Sequence, residues 1–428
     1  MNFVLEAVRR HKQGSGGGVF SVCSAHPLVI EAALRHARDN KTCALIEATS
    51  NQVDQNGGYT GMKPADFVIY VQSIAAQVGL PAQHLVLGGD HLGPNTWQHL
   101  SAAEAMTNST VLVEQYVAAG FRKIHLDCSM ACAGDPTPLG DETIARRAAQ
   151  LARAAEVAWR RSGGEAPIYI VGSEVPVPGG AHETLDALAV TSAQAAAATI
   201  AAHRAAFDAQ GLGEAWPRVV GLVVQPGVEF DHHRVFDYAP AAAAALSRHI
   251  DLSPTMVYEA HSTDYQNPEA LCALVRDHFA ILKVGPGLTF ALREALWALD
   301  RIESEWIGTA NRAGLQAAVL AAMQRDPRHW NKYYADAAPA RQLLDLQYSL
   351  SDRIRYYWPV PEVQTALARL LANLDAAPPP LALISQYMPQ EYLAIRSGRL
   401  RLRSADLVMH RVGSVLAAYA DACKPGAA

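Results

Sequence analysis

The run Gly88-Gly89-Asp90-His91-Leu92-Gly93-Pro94 sets a carboxylate beside an imidazole, directly after a short apolar stretch and two glycines. An imidazole can give a lone pair to a metal while the neighbouring carboxylate moves protons. A hydrogen-bonded Asp-His pair in a turn is the alternative that the same residues allow. The paired glycines let the chain turn sharply there without a Cβ penalty. Two further runs offer donors, Ser173-Glu174-Val175-Pro176 and Glu259-Ala260-His261-Ser262. Taken singly, each Glu or His is as readily satisfied by a nearby backbone group as by an ion. Taken together, His91, Glu174 and His261 supply two nitrogens and an oxygen, a donor set for Zn, Mn, Co or Ni rather than calcium. One divalent metal is therefore the expected cofactor, with Asp90 and Glu174 the candidates to move protons beside it.

Groups suited to sugar hydroxyls or a phosphate lie in Ser50-Asn51-Gln52 with Gly57-Gly58, in Ser262-Thr263, and in Lys283-Val284-Gly285-Pro286-Gly287. Glu47, Asp127 and Gln225 join them as polar residues that end apolar runs. The expected substrate contacts are thus Glu47, Asn51, Gln52, Asp127, Gln225, Ser262, Lys283, Gly285 and Gly287. Each glycine-containing loop is equally an ordinary turn, so whether the substrate carries a phosphate stays open. The chain has no GxxxxGK[ST] loop and no set of protein-kinase motifs, which disfavours ATP-dependent phosphoryl transfer. His232-His233 reads as a solvated or hydrogen-bonded pair in a polar loop, and Cys128 and Cys132 as structural cysteines.

What must position these groups is a series of short β-branched or apolar runs: Val19–Cys23, Cys43–Ile46, His84–Leu87, Lys123–Leu126, Ile168–Val171, Val219–Val224, Thr255–Tyr258 and Ile281–Val284. Helix-forming stretches separate most of them, among them Pro27–Asp39, Asp141–Arg161 and Leu185–Gln210. Eight strands alternating with helices predict an α/β chain folded as a (β/α)8 TIM barrel, in which the strand ends converge on one face. A doubly wound open sheet, the rival, needs a Gly-rich turn after its first strand, whereas Gly14-Ser15-Gly16-Gly17-Gly18 precedes it. The barrel is expected over 1–300, and a helical extension over 301–428, packing on the barrel or covering part of its mouth.

Half of the 428 residues are hydrophobic, enough for a large core, and the formal net charge is −5. Clustered basic charge is missing, which argues against nucleic acid or an anionic membrane as partner and for a small soluble substrate. Neither a leader peptide nor a membrane span is read, so a cytoplasmic location is expected. Six cysteines without CxxC spacing suggest neither a disulfide framework nor a zinc knuckle.

Several long motifs carry a family resemblance: GGDHLGP at 88–94, IEATSNQVDQNGGYTGM at 46–62, KIHLDCSMACAGD at 123–135, YIVGSEVPVPGG at 169–180, VVQPGVEFD at 223–231, YEAHSTDYQ at 258–266 and SDRIRYYWP at 351–359. In these the chain resembles the GatZ/KbaZ family over nearly its whole length. That resemblance implies either a metal-dependent 4-epimerase of a ketose or ketose phosphate, such as D-tagatose 6-phosphate, or an accessory subunit partnering a class II D-tagatose-1,6-bisphosphate aldolase. The family is similar in turn to class II aldolases, whose Asp-His pair and later histidine ligand match Asp90, His91 and His261. Where those enzymes carry another histidine near the sixth strand, this chain has Gln225, so a three-histidine site is not expected and Glu174 stands in as ligand. The implied chemistry is retro-aldol cleavage of C3–C4, rotation of the aldehyde and re-addition.

Overall fold

The computed structural model describes residues 2–176, 188–334 and 337–426. Eight parallel strands close into a barrel: β1 Val19–Val22, β2 Ala44–Thr49, β3 Leu85–Leu92, β4 Lys123–Leu126, β5 Ile168–Val171, β6 Val219–Val224, β7 Val257–Ala260 and β8 Ile281–Val284. Closure is made by β8 against β1, in the register Val19↔Ile281 to Val22↔Val284. The strands are buried almost throughout, as expected when helices cover a parallel sheet outside and side chains fill it inside. Helices Pro27–Asp39, Pro64–Val78, Pro240–His249, Pro268–Arg276 and Pro286–Trp306 each begin on a proline, whose fixed φ and missing N–H suit the first turn. The end of the 169–180 motif and residues 185–187 of the expected 185–210 helix lie outside the described residues; of the rest, 188–192 is not helical and the helix runs over Ala193–Ala209, capped by Ser192.

One end of the barrel is plugged with hydrocarbon. Val19, Leu45, Ile168, Ile170, Val220, Val223, Val257 and Ile281 form an interior cluster, and the N-terminal helix Phe3–Arg10 lays Val4 and Val8 against it. Each such side chain contributes roughly 1.5–3 kcal/mol on burial. Polar side chains can therefore gather only toward the other end, where the strands terminate.

Beyond the barrel, the chain is helical. The last long helix, Ser404–Ala422, packs against helices Pro27–Asp39, Pro268–Arg276 and Pro286–Trp306, beside the β8–β1 closure. Its Tyr419 hydroxyl donates to the Thr263 carbonyl at 2.7 Å. Before it, the segment 349–360 lies at the barrel mouth, fixed by the Tyr265 hydroxyl on Leu350 O (2.6 Å) and by Leu350 N on His232 O (2.9 Å). Among the described residues, no helix is long and apolar enough to cross a membrane.

Four strands differ from the sequence reading. The first ends one residue earlier, at Val22, and the second runs from Ala44 to Thr49 instead of from Cys43 to Ile46. The seventh strand begins two residues later than expected, at Val257. The third runs through the glycine pair to Leu92, so Asp90 and His91 lie inside a strand and not in a turn after it.

Candidate active site

The Asp90-His91 pair owes its geometry to a β-bulge. Pairing of β3 with β4 passes from Gly89↔Ile124 to Leu92↔Leu126, which leaves one extra residue on β3. A bulge breaks the strict alternation of faces, so consecutive side chains can both reach the interior. His91 absorbs the distortion at φ 49°, a conformation that costs a non-glycine residue about 1–3 kcal/mol. Two glycines permit the close approach: a Cβ on Gly88 would meet Glu47 Cγ at 2.7 Å, and one on Gly93 would sit 1.7 Å from Asp127 O.

Three imidazoles converge here. The ring centroids of His91, His125 and His261 are 5.1, 4.9 and 5.2 Å apart, pair by pair. Each ring sets one nitrogen against a carboxylate: His91 Nδ1 on Asp127 Oδ2 at 2.8 Å, His125 Nδ1 on Asp90 Oδ1 at 2.9 Å, and His261 Nε2 on Glu259 Oε1 at 2.9 Å. Such pairing is how metal-binding histidines are oriented, with the opposite nitrogen kept for the ion. Nε2 of His125 is buried and has no hydrogen-bond partner among the described residues. Asp90, His125, Glu259 and His261 bring donor atoms within 4.8 Å of one another. Three rings ligating one tetrahedral ion through nitrogens at about 2 Å have centroids roughly 5 Å apart. The residues present therefore fit a divalent metal.

Charge points the same way. Lys123 Nζ lies 2.8 Å from Glu47 and 2.6 Å from Glu259, while Lys283 Nζ binds Glu47 and lies 3.0 Å from Asp90. With Asp127, four buried carboxylates face two ammonium groups, leaving two negative charges for a cation to balance. Burial alone would discharge Asp90, but Lys283, His91 and His125 hold its carboxyl well below the usual carboxylate range. Burial lowers His261 to about 4, leaving it neutral. His91 is raised, because Asp90 and Asp127 outweigh its burial.

The expected residues fall into three groups. Asp90, His91, His261, Glu47, Asp127 and Lys283 are brought together. Asn51, Gln52 and Ser262 line the pocket above them, with Cys23, Tyr59, Asp264, Arg355 and Tyr356. Gly285 also lines that pocket, whereas Glu174, Gln225 and Gly287 are committed elsewhere. Glu174 is exposed and accepts the Thr191 hydroxyl, because the chain leaves the barrel after β5 ends at Val171. It does not join the imidazoles; His125 from β4 does, so three histidines stand together where the sequence reading expected two and Glu174. Gln225 Oε1 caps its own loop, accepting from Gly227 N (2.8 Å) and Val228 N (3.0 Å). The amides of Gly285 and Gly287 donate to Asp264 Oδ1 at 2.9 and 2.7 Å. Of the residues read as structural, Cys128 and Cys132 are buried free thiols, and His232 and His233 bond Ser349 and Asp345.

His125 and Lys123 are the residues that sequence reasoning missed, since both lie within an apolar run and not at its end; Glu259 stood in the run Glu259-Ala260-His261-Ser262 offered as donors. A signal was present: Lys123, His125 and Asp127 alternate along β4 and so share one face. Arg355 and Tyr356 were also missed as pocket residues.

Fold and centre together define a (β/α)8 barrel with a buried histidine-carboxylate cluster at its polar end. The sequence profile described as D-tagatose-1,6-bisphosphate aldolase subunit GatZ/KbaZ-like matches residues 4–424, and the chain belongs to this family. Among solved structures, it is 48% identical to a probable tagatose 6 phosphate kinase from Sinorhizobium meliloti 1021, with a TM-score of 0.88 over 95% of this chain and 100% of that one. A fructose-bisphosphate aldolase from Campylobacter jejuni is 14% identical, with a TM-score of 0.44 over 84% of this chain and 94% of that one.

Proposed function

We propose that the protein is a divalent-metal-dependent 4-epimerase of a ketose or ketose phosphate, interconverting D-tagatose 6-phosphate and D-fructose 6-phosphate or the free sugars. The observation that carries this reading is the buried trio His91, His125 and His261, each ring braced by a carboxylate, with ionised Asp90 beside it. His91, His125 and His261 would hold the ion. When bound, a Zn, Mn, Co or Ni ion supplies Lewis-acid polarisation of the ketose carbonyl.

The residues of the chain do the remainder. Asp90 takes the C4 hydroxyl proton; as the C3–C4 bond breaks, its electron pair passes toward the C2 carbonyl and C4 becomes an aldehyde carbon. Rotation of that aldehyde and re-addition at its other face re-forms C3–C4, and Asp90 returns the proton. Lys283, 3.0 Å from Asp90, keeps the carboxylate charged between these transfers and stands ready to steady negative charge on the substrate. Asn51, Gln52 and Ser262 orient hydroxyls from the pocket wall.

The family's description as an aldolase subunit favours a second reading, in which the chain stabilises a class II aldolase and performs no chemistry. Purified chain loaded with metal separates the two. Conversion of tagatose 6-phosphate in the absence of any aldolase supports the epimerase; co-purification with an aldolase and no conversion supports the subunit.

A further inference from the structure

Outside the metal pocket lies a second cavity of about 1270 Å³, far larger than the inner pocket of about 80 Å³. The two share Asn51, Tyr59 and Tyr356 as walls, and the Tyr59 and Tyr356 rings meet edge to face at 4.7 Å. A sugar phosphate whose reacting end enters the inner pocket can extend past these rings into the outer cleft; another cavity bordering the inner pocket, of about 510 Å³, is lined more by apolar side chains such as Leu28, Met62, Leu367 and Leu371.

The outer wall is cationic and comes from the C-terminal segment. Arg353 is 6% exposed, with its guanidinium 4.0 Å from the Tyr333 ring and 4.6 Å from the Tyr356 ring. Its Nε donates to His329 O at 2.7 Å, whereas Nη1 is buried without a hydrogen-bond partner among the described residues. A buried guanidinium donor left unmatched is costly and implies an acceptor that arrives with the ligand. Lys332 lines the same cleft, and Arg355 Nη2 donates to the Tyr356 hydroxyl at 3.3 Å. Burial by itself would raise that hydroxyl, yet Arg355 and Arg353 bring it down to about 8, the mark of a field that favours oxyanions.

The acids of the cleft are otherwise engaged. Asp54 accepts the amides of Asn56 (2.6 Å) and Gly58 (3.0 Å), and Asp326 pairs with Arg328 at 2.7 Å. Glu229 accepts Phe230 N at 3.0 Å, and burial raises it to about 7. In turn, the loops after β7 and β8, where barrels often hold a phosphate, already have their Gly285 and Gly287 amides on Asp264.

We propose that the outer cleft is the phosphate subsite of a phosphorylated ketose, held by Arg353 and Lys332 with the Tyr356 hydroxyl. The assignment rests on the ketose reading of the inner pocket and makes the phosphorylated sugar the preferred substrate.

The test compares D-tagatose 6-phosphate, free D-tagatose and inorganic phosphate by calorimetry on the full metal-loaded chain, on Lys332→Gln and on Arg353→Met. The unmutated chain should bind the phosphorylated sugar about tenfold or more tightly than the free one, and each variant should narrow that ratio about tenfold. Lys332 is exposed, so its variant folds even where Arg353→Met does not. Equal affinity for both sugars, or a ratio unchanged in Lys332→Gln and in folded Arg353→Met, overturns the proposal. C4 inversion is followed in parallel. Phosphate binding that depends on Lys332 and Arg353 without inversion upholds the subsite and refutes the epimerase; inversion without that dependence does the reverse.

Discussion

His125 Nδ1 lies 2.9 Å from Asp90 Oδ1, and this contact joins the group read here as a metal ligand to the group read as the proton carrier. It fixes the imidazole with Nε2 turned away from the carboxylate and anchors Asp90 from the β4 side. The two residues should therefore differ sharply in what their loss removes.

His125→Ala should lose both bound metal and turnover, with metal affinity falling by at least the 10–100-fold typical of losing even an outer partner. Glu174→Ala, by contrast, should keep its metal, since the exposed Glu174 carboxylate is engaged by Thr191. Metal content of the two purified variants, read by elemental analysis, checks the ligand set; depletion in Glu174→Ala with retention in His125→Ala would reverse it.

Asp90→Asn keeps an oxygen near His125 and the donors of the three rings but cannot take a proton. Turnover should drop about 10²–10⁴-fold while metal content stays that of the unmutated chain. Steady-state rates beside metal analysis would expose a different role, as when activity survives or the ion is lost.

Lys123 is wholly buried between Glu47 and Glu259. Replacing it by Met leaves two carboxylates without their shared cation, a change worth about 3–5 kcal/mol of destabilisation. Urea unfolding of Lys123→Met measures this, and the companion Lys123→Met/Glu259→Gln should recover part of the loss. A single variant as stable as the unmutated chain would mean that the ladder of charges is not holding the interior.

Stability toward acid should depend on Glu391. Burial opposes its charge, but His410 (3.1 Å) and Arg411 (2.8 Å) hold it at about 2 instead of 4.5. A carboxylate lowered in the folded state contributes stability above its unfolded value and loses it as pH falls from about 4.5 toward 2. Glu391→Gln, which does not titrate, should show a flatter decline across that window in pH-dependent denaturation; parallel curves would remove Glu391 from the account.

The barrel was legible because its strands are short, β-branched and evenly interrupted, and four of the eight observed strands coincide with the apolar runs that predict them. Asp90, His91 and His261 were legible as polar residues at strand ends. His125 was not, because a polar residue inside an apolar run reads as part of a strand until the period of two is counted through Lys123, His125 and Asp127. Glu174 misled for the converse reason: it follows a strand in sequence, yet two intervening residues carry it out of the barrel axis. The bulge at Asp90-His91 left no mark beyond its glycines, since bulging depends on the register with β4. Nor could composition place Arg355 and Tyr356 in the pocket, more than 200 residues from His125 along the chain, where only tertiary packing brings them.

The central claim is inversion at C4 by cleavage and re-formation of C3–C4. The chain, loaded in turn with Zn, Mn, Co and Ni, should be incubated with D-tagatose 6-phosphate in D2O and the product read by NMR. The product should be D-fructose 6-phosphate that retains its original hydrogen at C4, because that hydrogen rides on the aldehyde carbon throughout. Absence of the epimer with every one of these ions, or an epimer bearing deuterium at C4, would contradict that claim.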